Sequence, residues 1–241
     1  MKISAFSYTN RGGRAHNEDS VRCRAEGERG VFVVADGLGG HQSGEVASAL
    51  AADTLFDSCL QAETLDGDGL TALFRAANQQ ILSQQAQEGQ GDMKTTAAVL
   101  VLDRTQALRA HIGDSRVYHF SGGELLSVTQ DHSVTYKKYL GGEISYMDVY
   151  HDDDRSRLLR VLGREPCKPE AGHGELEPGD AFLLCSDGFW EYVYTEEIQA
   201  DLCRARTPEE WAESMLLRHI RRTPPDHDNF SLITVFVEEC G

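Results

Sequence analysis

Six short apolar runs constrain the fold of this chain more than any other feature. They cover residues 31–35, 97–102, 107–112, 117–120, 181–185 and 232–237. They are rich in Val, Ile, Leu and Phe, and turn residues flank most of them, which is typical of β-strands. The TQALR and SGGE segments resemble hairpin connections, so residues 97–128 are predicted to form an antiparallel meander.

Helical periodicity separates these strand blocks. Apolar residues recur at helical spacing over 43–61, 69–87 and 208–221. Antiparallel strand blocks with helices inserted in pairs favour sheets covered by helices over a doubly wound parallel sheet. We find no repeat and no linker-like tract, so one domain over 1–241 is the simplest interpretation. The polar, weakly periodic segment 131–165 is predicted to be a surface excursion with short helices rather than core.

The charge balance excludes one class of partner. The 241 residues include 23 basic and 39 acidic side chains, a net charge of −16. Nucleic-acid binding depends on clustered Lys and Arg, so no nucleic-acid partner is expected. The acidity fits a solvated surface, acids that converge on bound cations, or both.

Cysteine spacing and hydropathy suggest a reducing compartment. The six cysteines form neither a C-x-x-C pair nor a Cys/His knuckle, so neither a zinc site nor a disulfide framework is predicted. The first residues lack the apolar core of a signal peptide, and no apolar run is long enough to span a bilayer. We therefore expect a cytoplasmic protein without direct membrane insertion.

Acidic residues stand at the ends of several predicted strands. They are Glu18 and Asp19, Asp36 before Gly37, Asp114, Asp187 before a second Gly, and Asp228. Each alone has an ordinary explanation. An Asp-Gly after a strand is usually a turn, Asp114 could pair with Arg116, Glu18 and Asp19 could lie in an exposed loop or cap a helix, and Asp228 could begin a polar turn.

The joint pattern points to cations. Unpaired carboxylates gathered at one sheet edge are disfavoured by repulsion and desolvation, and few basic residues neighbour them in sequence. All-oxygen ligands select Mg²⁺, Mn²⁺ or Ca²⁺.

An ordered series of motifs spans residues 3–238: RAHNEDS, VADGLGGHQSGE, TTAAVL, IGDSRVY, DHS, LLRVLG, LLCSDG and DNFSLITV. In order and spacing this series resembles the bacterial PP2C/PPM family of metal-dependent protein Ser/Thr phosphatases. The resemblance implies an α+β fold, a four-layer α-β-β-α sandwich with two central antiparallel sheets flanked by helix pairs. It also implies a flap subdomain at about 131–165. The sequence of this segment resembles that of the stand-alone phosphatases encoded in type VI secretion gene clusters.

The resemblance assigns roles to individual residues. Asp36 would bridge two metals with the Gly37 carbonyl beside it, and Asp187 and Asp228 would hold the first metal. Asp19 would serve the second metal, with Glu18 reaching it through water, and Asp114 would help to hold a third. Arg14 would grip the phosphate. His41 is either the general acid or a loop histidine that shapes the pocket.

The implied activity is hydrolysis of phosphoserine and phosphothreonine in proteins. A water shared by two Mn²⁺ or Mg²⁺ ions would be the nucleophile, and the site would hold two or three ions in all. Expected partners are a Hanks-type Ser/Thr kinase and its substrates, among them proteins with forkhead-associated domains, and the expected state is a monomer. The alternative is a pseudophosphatase that uses the same fold for binding or sensing.

Some positions depart from the family pattern or remain open. Leu38 replaces the usual Met, and Lys94 the usual Gly. Phe189 and Trp190 are predicted to be core rather than substrate contacts. His151 and the aspartates 152–154 are interpreted as a solvated charged loop rather than a further metal site.

Overall fold

The computed structural model describes residues 1–39, 43–87 and 92–238. Its strands are β1 (Lys2–Asn10), β2 (Asp19–Glu26), β3 (Arg29–Leu38), β4 (Lys94–Thr95), β5 (Ala97–Asp103), β6 (Gln106–Ile112), β7 (Arg116–Ser121), β8 (Glu124–Val128), β9 (Glu170–Glu175), β10 (Asp180–Cys185) and β11 (Phe230–Glu238). Its helices are α1 (Ser43–Gln61), α2 (Gly67–Gln85), α3 (Val134–Leu140), α4 (Asp187–Trp190), α5 (Thr195–Leu202) and α6 (Pro208–Arg222), with a 3₁₀ turn at Tyr146–Tyr150.

The strands form two antiparallel sheets. The first has the order β1-β11-β10-β7-β8. The second has the order β2-β3-β5-β6-β9, and the short β4 pairs with the end of β3. All six predicted strands and all three predicted helices are present, with bounds that shift by at most a few residues.

Three apolar clusters show how the layers stack. Along β3, alternate residues face opposite ways, as a pleated strand requires. Phe32 and Val34 lie in the cluster between the two sheets. Val31, Val33 and Ala35 pack against α1 and α2. A third cluster joins the first sheet to α5 and α6. The arrangement is the predicted α-β-β-α sandwich.

The helices begin where local sequence supplies a cap. The Asp66 carboxylate accepts a hydrogen bond from the Gly69 N–H at the start of α2. The Thr207 hydroxyl accepts one from the Glu210 N–H at the start of α6, with Pro208 in the first helical turn. Both caps satisfy N–H groups that the helix cannot pair internally.

The predicted meander over 97–128 is wrong in one respect. β5 pairs with β6 and β7 with β8, as expected, but β6 and β7 belong to different sheets. The chain crosses between the sheets at Gly113, whose φ of 99° favours glycine. Asp114 therefore lies on a crossover between sheets, not in a hairpin.

Segment 131–165 is more deeply buried than predicted. It carries α3 and the 3₁₀ turn, as expected, but Tyr136, Val149 and Tyr150 belong to the cluster beneath α5 and α6. Its weak periodicity hid these contacts because the buried residues come from separate short elements. No helix in the described ranges is long and apolar enough to cross a membrane.

Candidate metal centre

The two sheets bring the strand-end acids to one edge of the sandwich. Asp19 begins β2 and lies directly opposite Asp36 on β3. Asp187 begins α4, immediately after β10, and Asp228 precedes β11 by two residues. Asp114 lies on the crossover from β6 to β7. The centre therefore takes residues from both sheets.

Burial and mutual repulsion raise the pKa of four of these acids. Burial is the larger cause throughout. It raises the pKa of Asp36 well above its usual value, and Asp187, Asp19 and Asp114 add to this by repulsion. The pKa of Asp114 is likewise raised, with Asp187 as the main neighbouring charge. Burial raises the pKa of Asp19 to about 7, although the hydroxyls of two serines oppose the shift. The pKa of Asp187 is also raised.

Two carboxylate oxygens in this centre are buried and receive no hydrogen bond from residues 1–39, 43–87 or 92–238. Asp19 Oδ2 accepts hydrogen bonds from Ser186 Oγ at 2.8 Å and Ser231 Oγ at 2.7 Å. Its Oδ1, and Oδ1 of Asp114, have no hydrogen-bond partner among the described residues. Unpaired buried carboxylate oxygens are costly. An all-oxygen set with two free acceptors fits Mg²⁺ or Mn²⁺.

Backbone contacts fix Asp36 and Gly37. The Asp36 N–H donates to Thr96 Oγ1 at 3.1 Å, and the Asp36 carbonyl accepts from the Thr96 N–H at 2.8 Å. The Thr95 hydroxyl donates to the same carbonyl. A Cβ on Gly37 would lie 2.2 Å from the Gly44 carbonyl oxygen, so no larger residue fits. Lys94, which stands where Gly is usual, leaves both threonine contacts in place, and its ammonium pairs with Asp92.

A loop bearing Arg14 lies beside the acids. Arg14 Nη2 lies 2.9 Å from Asp228 Oδ2, and 56% of the Arg14 side chain is exposed, within reach of a ligand from solvent. The Asn229 side chain holds this loop. Its Oδ1 accepts from the Glu18 N–H, and its Nδ2 donates to the carbonyls of Arg11 and His16.

Arg116 does not neutralise Asp114. It is fully buried and forms a bidentate pair with Asp131, with Nε–Oδ1 at 2.8 Å and Nη2–Oδ2 at 2.7 Å. The alternative of a simple Asp114–Arg116 pair is therefore wrong. Phe189 and Trp190 are buried, as predicted, and the Trp190 indole N–H donates to the Asp114 carbonyl at 2.9 Å.

The remaining sequence candidates fall in different places. Glu18 is partly buried, and burial followed by repulsion from Asp228 raises its pKa. His41 lies outside the described residues. Two of the three aspartates after His151 form ion pairs, since Lys138 contacts Asp152 and Asp154, and Asp153 is exposed. That agrees with the charged-loop interpretation.

Sequence reasoning missed Glu191. It follows α4, accepts a hydrogen bond from Arg155 Nε at 2.8 Å, and has a pKa raised to about 7 by burial and by Asp187. In the SDGFWE stretch Glu191 follows Asp187 by four residues, so a helical turn there brings the two side chains to the same face. This spacing was the signal that the sequence offered.

A second cluster lies behind the Asp114 crossover. The donor atoms of His111, His132 and Glu170 approach within 4.8 Å of one another. Arg160 already brings a positive charge there, 2.7 Å from Glu170 Oε1. His132 Nε2 lies 3.2 Å from Glu170 Oε1 and 3.0 Å from Arg160 Nη1, so the same guanidinium nitrogen contacts both the ring and the carboxylate. This set is a satisfied ion-pair network rather than a cation site.

Comparison with known proteins agrees with this geometry. A family model described as protein phosphatase 2C matches residues 8–218. The serine/threonine phosphatase Stp of Listeria monocytogenes serotype 4b (strain F2365) is 31% identical over 214 residues, covering 85% of this chain and 84% of the relative. The crystal structure of the Mycobacterium tuberculosis serine/threonine phosphatase PstP superimposes with a TM-score of 0.89 at 30% identity, covering 99% of this chain and 100% of that one. A crystal structure of the PstP catalytic domain in complex with two manganese ions gives a TM-score of 0.87 at 29% identity, covering 99% of both chains.

The fold is that of the metal-dependent protein serine/threonine phosphatases. The chain belongs to the protein phosphatase 2C family.

Proposed function

We propose that this chain is a metal-dependent protein serine/threonine phosphatase. One observation carries the proposal. Acids from both sheets converge at one edge with raised pKa values, and two of their buried carboxylate oxygens have no hydrogen-bond partner in the described part of the chain. Such a set is stable at neutral pH only with cations or protons to offset its charge.

Different acids would bind different metal ions. Asp36 and the Gly37 carbonyl would lie between two ions, with Asp187 and Asp228 on one and Asp19 and Glu18 toward the other. Asp114 would share a third ion with Asp187. Bound there, Mn²⁺ or Mg²⁺ would lower the pKa of a shared water enough to supply hydroxide near neutral pH. The manganese in the PstP structure supports this choice of ion.

Arg14 would hold the substrate phosphate. Its planar guanidinium can donate two parallel hydrogen bonds to phosphate oxygens, which an ammonium group imitates poorly. To bind a phosphate, the Arg14 guanidinium would give up only its exposed ion pair with Asp228, which is worth about 0–1 kcal/mol. His41 remains the candidate proton donor to the leaving serine or threonine oxygen.

The substrates we propose are phosphoproteins. The name of the Listeria relative supports serine and threonine as the modified residues. A Hanks-type kinase, its substrates and forkhead-associated proteins stay predictions, as do the monomeric state and the cytoplasmic location.

The test is hydrolysis by metal-stripped protein, with and without Mn²⁺. Wild type is expected to cleave p-nitrophenyl phosphate and a phosphothreonine peptide with Mn²⁺ and to lose both activities without it. Asp187→Ala should be inactive at every Mn²⁺ concentration. Asp153→Ala, an exposed acid on the neighbouring segment, should match wild type.

A folded wild type that is inert with every divalent ion would overturn the proposal and favour the pseudophosphatase. Equal cleavage of phosphotyrosine and phosphothreonine peptides would overturn the serine/threonine assignment alone.

A further inference from the structure

Two groups proposed for the third metal are joined by one side chain. Asp187 begins α4, and Trp190 ends the same single turn. The Trp190 indole N–H reaches back to the Asp114 carbonyl oxygen at 2.9 Å. A rigid indole ring therefore links the helical turn that carries Asp187 to the backbone of Asp114.

Further contacts hold the Trp190 ring in place. The Arg116 guanidinium lies 3.5 Å from the centre of the indole ring, a stacked cation–π contact. Arg116 is fixed by the bidentate contact with Asp131 and donates to the Tyr118 hydroxyl at 3.0 Å. Tyr150, on the far side of segment 131–165, packs edge-on against Trp190 at 5.8 Å. The indole has little freedom to move, so the carbonyl that it binds has little freedom either.

Asp114 needs such support. It follows Gly113 on a crossover without a ladder of its own, and its carboxylate carries a buried oxygen without a partner among the described residues. The crossover is also tied by Ser115 Oγ, 2.7 Å from the same Thr96 hydroxyl that holds Asp36. Trp190 supplies the remaining link, toward Asp187.

We propose that Trp190 is a positioning residue for the third metal: its indole N–H fixes Asp114 relative to Asp187 and thereby sets the affinity of the weakest cation site. The inference rests on the proposed function. Trp190 touches no substrate and acts through the Asp114 backbone. Loss of one buried hydrogen bond of this kind is expected to weaken that site by about fivefold to tenfold.

The chain offers a matched control. Trp211 is equally buried in the same apolar cluster, and its indole N–H donates to a backbone carbonyl, that of Ile198, at 3.0 Å. Trp190→Phe and Trp211→Phe thus remove the same ring and the same kind of hydrogen bond, one beside the acids and one remote from them.

The first readout is Mn²⁺ binding measured by calorimetry without substrate. Trp190→Phe should raise the dissociation constant of the weakest site about fivefold to tenfold and leave the tighter sites unchanged. Half-saturation of the hydrolysis rate by Mn²⁺ should shift by the same factor. Trp211→Phe should shift neither quantity, even though it also lowers thermal stability. Identical Mn²⁺ binding in the two variants would overturn the proposal, and so would an equal weakening of every site by Trp190→Phe.

An atomic substitution keeps the test decisive if Trp190→Phe does not fold. The chain has two tryptophans, so Trp190 alone remains in a Trp211→Phe background. Biosynthetic replacement by β-(3-benzothienyl)alanine then preserves the ring shape and removes only the N–H donor. The same fivefold to tenfold loss at the weakest site is expected. Unchanged binding would overturn the proposal.

The two proposals fail differently. A wild type that neither binds Mn²⁺ nor hydrolyses phosphoesters would overturn the proposed function and this inference with it. An active, Mn²⁺-binding wild type whose Trp190 variants behave like Trp211→Phe would overturn this inference alone.

Discussion

Four aspartates of the centre, Asp19, Asp36, Asp114 and Asp187, have pKa values raised first by burial and then by neighbouring negative charges. Asp19 and Asp36 lie opposite each other, and Asp187 acts on both, so ionising one makes the next harder to ionise. In the metal-free chain, protons supply the positive charge that the site requires. Competition between protons and cations follows directly from this crowding.

The stability of the metal-free protein should therefore fall above pH 6.5. The folded pKa values of Asp19 and Glu191 are about 7, above the unfolded values near 4, so the folded state holds protons that the unfolded chain has released. The free energy of unfolding is expected to fall by roughly 1–3 kcal/mol per pH unit between pH 6.5 and 8. Urea denaturation across this range measures it.

The predicted fall in unfolding free energy begins only at pH 6.5, because two histidines have the opposite effect on stability at lower pH. Burial lowers the pKa of His132 and His219 to about 4, so their contribution to stability rises with pH until the unfolded histidines are neutral. Asp19→Asn should flatten the slope above pH 6.5, and saturating Mn²⁺ should abolish it. A slope unchanged by Mn²⁺ would contradict the explanation.

Gly37 should tolerate no side chain. A Cβ there meets the Gly44 carbonyl oxygen at 2.2 Å and the Glu18 carbonyl oxygen at 2.7 Å, so β3 must shift away from α1. Gly37→Ala is expected to cost about 1–3 kcal/mol of unfolding free energy and most of the activity. Thermal melts and p-nitrophenyl phosphate assays measure both. Gly174→Ala, where a Cβ meets nothing within 4 Å, is the control and should change stability by less than about 0.5 kcal/mol.

At the scale of elements, segment 131–165 is anchored at its start by a buried ion pair. Asp131 begins the segment and binds Arg116 on β7, with both side chains only 1% exposed. Guanidinium and carboxylate satisfy each other here in the interior, and the Tyr118 hydroxyl accepts from a third guanidinium nitrogen. Such a pair adds little net stability, but it is expensive to break.

Asp131→Ala should destabilise the protein strongly. It would leave the Arg116 guanidinium buried without its carboxylate, at a cost of about 3–5 kcal/mol. Urea denaturation gives the value. The exposed pair Arg24–Glu26 provides the comparison, since Glu26→Gln should cost less than about 1 kcal/mol. Similar losses in the two variants would show that burial of the pair is unimportant.

The elements missed from the sequence differ in how much signal they carried. β2 alternates Val21, Cys23 and Ala25 toward the inter-sheet core, a period of two that could have been recognised. β9 reads EAGHGE and has no apolar residue besides alanine, so its pairing with β6 rests on backbone hydrogen bonds that no side-chain pattern reveals. The change of sheet after β6 was equally hidden, because a crossover and a hairpin turn both use Gly and Asp.

At the scale of the whole molecule, the family, the sandwich and the set of acids could be predicted because ordered motifs fix strands, spacing and chemistry together. The acids lie side by side in the structure, while their roles as ligands stay predictions. What the motifs could not give were contacts between distant segments, such as Arg116 with Asp131 and Trp190 with Asp114. These contacts depend on how segment 131–165 and α4 pack, which local sequence does not specify.

Metal binding should stabilise the entire molecule, because its proposed ligands come from both sheets. Mn²⁺ at 100 times its dissociation constant adds about 2.7 kcal/mol per site, which corresponds to a rise in melting temperature of about 5–10 °C for a chain of this size. Thermal melts with EDTA and with Mn²⁺ measure the rise. Asp187→Ala should show little response. An equal rise in that variant would place the stabilising ion elsewhere.

The position of β11 has a consequence for synthesis on the ribosome. β11 lies between β1 and β10, and it pairs Lys2 with Glu238, almost the full length of the described chain. β1 must wait for β11 to be translated before its ladder can form, and Asp228 emerges only just before β11. The nascent domain therefore carries an unfinished sheet edge and an incomplete set of acids until β11 has left the ribosome. Catalytic competence should appear in one step when β11 emerges rather than gradually during elongation.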